Sequence, residues 1–196
     1  MTQPLMPPGA ASGTAPRADL WKPVLLRSAA ALVFGAITIF WAAPSVEAMG
    51  WTGGLYLLAT GAVTLCGIPA TGFARDSGTG KLLSAAGSVL SGAGFAVLLL
   101  HSDLLFAIIA ALGLGVAGAL ELACGVRNRG RHPLARDWIT SGIISLGTAA
   151  ALPFFIGLGA HALLGVAGGG AIISGVLWVL SGLTLRHDSR SAAAKP

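Results

Sequence analysis

Glu121 is the residue of this sequence with the most chemistry in reach. It is the one carboxylate set well inside a long apolar run, LLFAIIAALGLGVAGALELACGV over 104–126. A charge inside such a run costs about 3 kcal/mol on insertion scales, so it marks a paired, packed or proton-binding position. Three readings stay open. In one, Glu121 lies about 9 Å along a helix from Arg127 and reaches the interface or pairs with Arg75, Lys81 or Arg127. In the second it faces a neighbouring helix and binds a proton. In the third it is neutral and hydrogen-bonded across helices, with a purely structural role. A second set, Glu47, His101, Asp103 and His161, falls in or beside short connections free of Lys and Arg. Imidazoles titrate at about pH 6.5 and carboxylates at about 4, so this set could register acid.

No further chemistry assembles. No nucleophile, base and orienting group occur together. Cys66 and Cys124 lack metal-site spacing and read as small packing residues. The triple glycine at 168–170 has no lysine or hydroxyl of a phosphate loop after it. His132 and His187 lie among arginines and read as solvated. The expectation is a non-enzymatic protein with no catalytic residue, metal or cofactor.

The elements that position these residues follow from composition. The chain is 55% hydrophobic and 10% charged, with mean hydropathy +0.82. A soluble domain carries about 25% charged residues, so this is an integral membrane protein. The formal charge of +5 does not indicate nucleic acid, because the basic residues are dispersed between apolar runs. Six runs of roughly 20 residues, 24–43, 51–70, 82–100, 104–126, 138–156 and 162–185, each match a bilayer-spanning helix. Lys and Arg sort completely. Arg17, Lys22 and Arg27 flank the first run, and Arg75 and Lys81 lie in the second connection. Arg127, Arg129, Arg131 and Arg136 lie in the fourth, and Arg186, Arg190 and Lys195 in the tail. The positive-inside rule then puts both termini and the two longer connections of this multi-pass membrane protein in the cytoplasm. Residues 1–20 read as a disordered tail, 21–187 as the transmembrane domain and 188–196 as a second tail.

A shift of about 57 residues superposes small residues without gaps. It aligns Gly54, Ala111 and Gly168; Gly61, Gly118 and Gly175; and Ile68, Gly125 and Gly182. In the odd-numbered helices it aligns Ser28, Ala85 and Gly142; Ala31, Ser88 and Ser145; and Gly35, Gly92 and Ala149. Such stripes let membrane helices approach closely. The expected fold is all-α, with six transmembrane helices as three repeated hairpins over 21–77, 78–134 and 135–187. Pro44 and Pro153 read as helix stops. Trp21, Trp41, Trp51 and Trp138 read as interface anchors, and Trp178 as lipid-facing or packed.

An arginine leads a Gly-bearing helix that ends at a proline (Arg27, Gly35, Pro44), and a second Gly-bearing helix follows (Gly54, Gly61). RDWITSGIISLGTAAALP at 136–153 and SGVLWVLSGLTLR at 174–186 complete the pattern. Over about 20–187 the chain resembles the HdeD-like family of small six-helix membrane proteins built from short repeats. The resemblance implies a role in acid or envelope stress tolerance and no catalytic residues. The bilayer is the first partner, with anionic headgroups at the cytoplasmic arginines. A second copy or another membrane protein could share the glycine stripes. The alternatives are a small transporter or channel, proton-linked through Glu121, and a scaffold subunit of a membrane complex.

Overall fold

The computed structural model describes residues 16–193, and these are helical with no strand. The α-helices are α1 (Trp21–Phe40), α2 (Val46–Gly67), α3 (Gly78–Leu99), α4 (Asp103–Arg127), α5 (Ala135–Ala151) and α6 (Gly159–Ala193). Short 3-10 helices follow α2 (Ile68–Thr71) and α5 (Leu152–Leu158). Local chemistry sets these limits. The Ser45 and Ser77 hydroxyls cap α2 and α3 by accepting from the Ala48 and Gly80 amides, both at 3.1 Å. Pro153 removes a backbone donor, so α5 stops at Ala151 and tightens into a 3-10 turn. Five stretches are long and apolar enough to cross a membrane. The fifth, Ala135–Ala192, joins α5, its 3-10 helix and α6.

The helices pair through glycine. A Cβ on Gly61 would lie 2.6 Å from the Gly87 carbonyl oxygen, and one on Gly87 would lie 3.0 Å from that of Gly61. Gly54 and Gly94 face each other in the same way, so α2 and α3 touch backbone to backbone. Gly118 and Gly142 do this between α4 and α5, where Gly125 also meets the Ala135 carbonyl. Gly35 meets the Gly168 carbonyl at 3.3 Å, and Gly175 and Gly182 receive Leu32 and Leu25, which joins α6 to α1. Each even-numbered helix therefore packs most closely on the next odd-numbered one, and α6 closes back on α1.

Two expectations are corrected on α3. Gly92 has nothing within 4 Å of where its Cβ would sit, and it is exposed, as are Ala85 and Ser88. The contact face of α3 carries Gly87, Ser91 and Gly94. Gly87 stands opposite Gly61 as Gly142 stands opposite Gly118, so the superposition slips by two residues on this helix.

Side-chain contacts bring the basic segments to one end. Gly67 meets Pro23, Gly78 meets Arg127, and Arg186 lies over the Trp21 ring at 5.1 Å. The outward surface is apolar, with Leu26, Val33, Ile39, Leu55, Phe95, Leu112, Ile173 and Leu180 exposed. Polar side chains are turned inward: Ser28, Thr38, Thr60, Glu121, Ser141, Thr148 and Ser174 are buried. This distribution suits lipid and not water.

The termini differ in part from expectation. Most of the expected 1–20 tail lies outside the described residues. Its last part is packed, with the Arg17 amide donating to the Ala70 carbonyl at 3.1 Å and Leu20 buried. At the other end α6 continues to Ala193, through the start of the expected 188–196 tail.

Candidate functional site

Arg27 is the seventh residue of α1 and the fourth of the first apolar run, where a guanidinium must find a partner inside the bundle. It finds Glu121 of α4. Arg27 Nη2 donates to Glu121 Oε1 at 2.5 Å, with side-chain exposures of 12% and 1%. The same nitrogen lies 3.4 Å from Ser141 Oγ on α5, which also accepts from Trp178 Nε1 of α6 at 3.4 Å. The guanidinium stacks over the Trp178 ring at 4.8 Å. Four helices thus converge on one ion pair. It separates a small apolar cluster at the basic end, around Val24, Leu83, Cys124 and Trp138, from the larger core beyond. The partner of Glu121 is therefore Arg27, and not Arg75, Lys81 or Arg127. Trp178 is buried against the cation and does not face lipid.

Glu121 Oε2 is buried and makes no hydrogen bond within the protein. It borders a cavity of about 20 Å³ that Arg27, Tyr56, Thr60, Ser145 and Ser174 also line. The Thr60 hydroxyl, beside that of Tyr56, makes no hydrogen bond of good geometry either. Such a cavity holds about one water. A second, of about 40 Å³, runs toward the basic end between Arg27, Thr64, Thr71, Leu134 and Trp138. Arg27 and Trp178 form the wall common to both. A third, of about 10 Å³, lies beyond Tyr56, Ser145 and Ser174. Met49, Val97, Phe106, Leu152, Leu163 and Leu164 are buried in the larger core. The three cavities follow one another, and apolar surface makes up most of the lining of the first two.

His132 closes the basic end, contrary to the solvated reading. Its Nδ1 accepts from the Leu134 amide at 3.1 Å, so Nε2 carries the proton and donates to the Thr71 carbonyl at 3.1 Å. The ring stacks on Trp138, with centroids 4.9 Å apart and planes 12° apart, and Phe73 tilts against it. Trp138 is accordingly a buried packing residue and not an interface anchor. Burial lowers the proton affinity of His132, with the Thr71 hydrogen bond opposing. Thr71, Leu134 and Trp138 also line the larger cavity, so the clasp lies over the space that leads to Arg27.

The other expected set does not assemble. Glu47, His101 and His161 are exposed, and Asp103 is half-buried in the first turn of α4. His101 lies by Gly50 and the Trp51 ring, 6.2 Å from its centroid. No ion pair or hydrogen bond joins these four among the described residues. No group of three or more His, Cys, Asp or Glu there could hold a metal. Cys66 is exposed, Cys124 is buried, and both are free thiols.

Arg27 is the site residue that sequence reasoning missed. Its signal was a cation already inside an apolar run, in a chain whose only deep carboxylate lies in another. No family model, curated protein or solved structure matches the chain. The site and fold define an all-helical protein with membrane-length helices around one buried ion pair.

Proposed function

We propose that the chain is a non-enzymatic, multi-pass protein of the bacterial inner membrane that acts in acid or envelope stress tolerance. Its six α-helices cross the bilayer as three repeated hairpins, with both termini cytoplasmic. The observation that carries the architecture is the closed ring of glycine pairings, α2 on α3, α4 on α5 and α6 on α1. Allowing for the two-residue slip on α3, the lining of the central cavity falls into equivalent triplets. Ala31, Leu90 and Ser145 form one, and Thr60, Ala117 and Ser174 another. Arg27 then corresponds to Ala86 and Ser141, and Glu121 to Thr64 and Trp178. A three-fold scaffold does not require charge at these positions, so the ion pair is an addition to the repeat and not part of it. The gathering of basic residues at one end supports the orientation.

The stress role follows from the HdeD-like resemblance. Deleting the gene should lower survival in acid or under envelope stress, and the intact gene should restore it. Unchanged survival under both would overturn the role. The proton-linked transporter is the second reading, on the strength of the buried Glu121 and its cavity. Large apolar side chains fill much of the core, which weighs against an open channel. Reconstituted protein should therefore pass no protons at rest. A scaffold role, with a second copy or another membrane protein against the exposed apolar face, predicts co-purifying protein.

A further inference from the structure

We infer that Glu121 is a reversible proton-binding site, served by water from the end of the bundle that carries the basic residues. Three features combine. Glu121 Oε2 is buried, makes no hydrogen bond within the protein, and borders a cavity sized for about one water. The cavity of about 40 Å³ continues from the shared Arg27–Trp178 wall toward Thr71 and Leu134. On the other side of the site a cavity of about 10 Å³ lies by Tyr56, Ser145 and Ser174, so the open space is larger toward the basic end. The occupant is the proton and not a metal cation, because among the described residues no group of three or more His, Cys, Asp or Glu could complete a metal's ligand set around Glu121.

The balance of the step is simple. One proton enters from bulk water and binds Oε2, and no group gives one up. Glu121 becomes a neutral carboxylic acid, and the bundle gains one positive charge on Arg27. That guanidinium keeps two partners already in place, the Trp178 face at 4.8 Å and Ser141 Oγ at 3.4 Å. Rotation of Arg27 toward the ring is thus the movement that protonation drives, and it acts on the wall between the two cavities.

The charged and titratable groups around the carboxylate are few. α1 brings Arg27, α2 brings Tyr56, and α4 itself carries Cys124 one turn on. From α3, α5 and α6 the cavity receives Leu90, Ser141, Ser145, Ser174 and Trp178, none of which titrates as an acid or base in the working range.

The sequence holds two glutamates, Glu47 and Glu121, and Glu47 is exposed at the start of α2. In Glu47→Gln protein carrying isotope-labelled glutamate, the one labelled glutamate carboxyl is then Glu121, and the site itself is unaltered. In lipid nanodiscs, infrared spectra should show the labelled carboxylate band giving way to a protonated carboxyl band as pH falls. The new band should shift in heavy water and reverse on neutralisation. Val63 lines the cavity of about 40 Å³ with Arg27, and Val63→Phe, which narrows it, should slow the heavy-water shift. A labelled carboxylate that stays ionised at every pH where the helices stay folded would overturn the site. Unchanged exchange in Val63→Phe would overturn the route. The inference rests on the membrane reading only for the compartment that supplies the water, and survival and topology measurements test that reading separately.

Discussion

At the residue scale, the ion pair and the histidine clasp have opposite consequences. A buried pair is costly to break from one side, because the remaining charge loses its counter-charge even where it keeps other contacts. Glu121→Gln or Arg27→Met alone should destabilise the bundle by about 3–5 kcal/mol. The double variant Arg27→Met with Glu121→Leu should recover most of that loss in denaturant titrations of detergent-solubilised protein. Equal losses in single and double variants would mean that the pair is not the partner relation described. For His132 the sign follows from its hydrogen bonds. The folded state holds the ring neutral, with both nitrogens engaged, and lowers its affinity for a proton. Its contribution is therefore complete above the usual value of 6.5 and is lost as pH falls through the lowered folded value. The wild type should lose stability on acidification below that range, and His132→Gln should flatten this part of the profile while weakening the protein at neutral pH. Neither residue was fully legible beforehand. An arginine near the start of an apolar run serves topology as readily as pairing. The burial of His132 depends on a carbonyl 61 residues away, beyond the reach of any local pattern.

At the element scale, glycines divide by what a side chain would meet. Gly118 and Gly142 lie where an added Cβ would press on the facing backbone, so Gly118→Val should separate α4 from α5 and cost about 2–3 kcal/mol. Gly92 faces open space, so Gly92→Ala should be neutral or stabilise by up to about 1 kcal/mol. Melting of the two variants side by side checks this, and a large loss in Gly92→Ala would place the α3 contact face wrongly. Gly61, Gly118 and Gly175 were readable in the sequence because a constant spacing keeps them on one face of three helices. The contact residues of α3 were not, because its glycines at 87, 92 and 94 offer two registers. Only the opposing backbone of α2 selects Gly87 and Gly94. That the stripes pair between successive hairpins, with α6 returning to α1, was also beyond the periodicity, which says that a face is close-packed but not against what.

At the scale of the whole molecule, the described residues form a bundle with lipid-suited side chains outside, hydroxyls and the Arg27–Glu121 ion pair inside, and the basic connections gathered at one end. All-helical architecture and membrane-length helices were legible because apolar runs of about 20 residues leave the backbone no other partner. The last two helices bear the central claim, because Ala135–Ala192 is one continuous apolar helical stretch interrupted by the Pro153 turn. If α5 and α6 are separate crossings, the link between them lies on the side opposite both termini. If they cross once, the C-terminus lies opposite the basic connections. The most direct measurement places a lone cysteine at His161 or at Ser191, in a Cys66→Ser and Cys124→Ser background, and treats intact cells with a membrane-impermeant thiol reagent. Labelling at 161 and none at 191 until the membrane is opened is the predicted result; protection at 161 with labelling at 191 would contradict the six-crossing bundle.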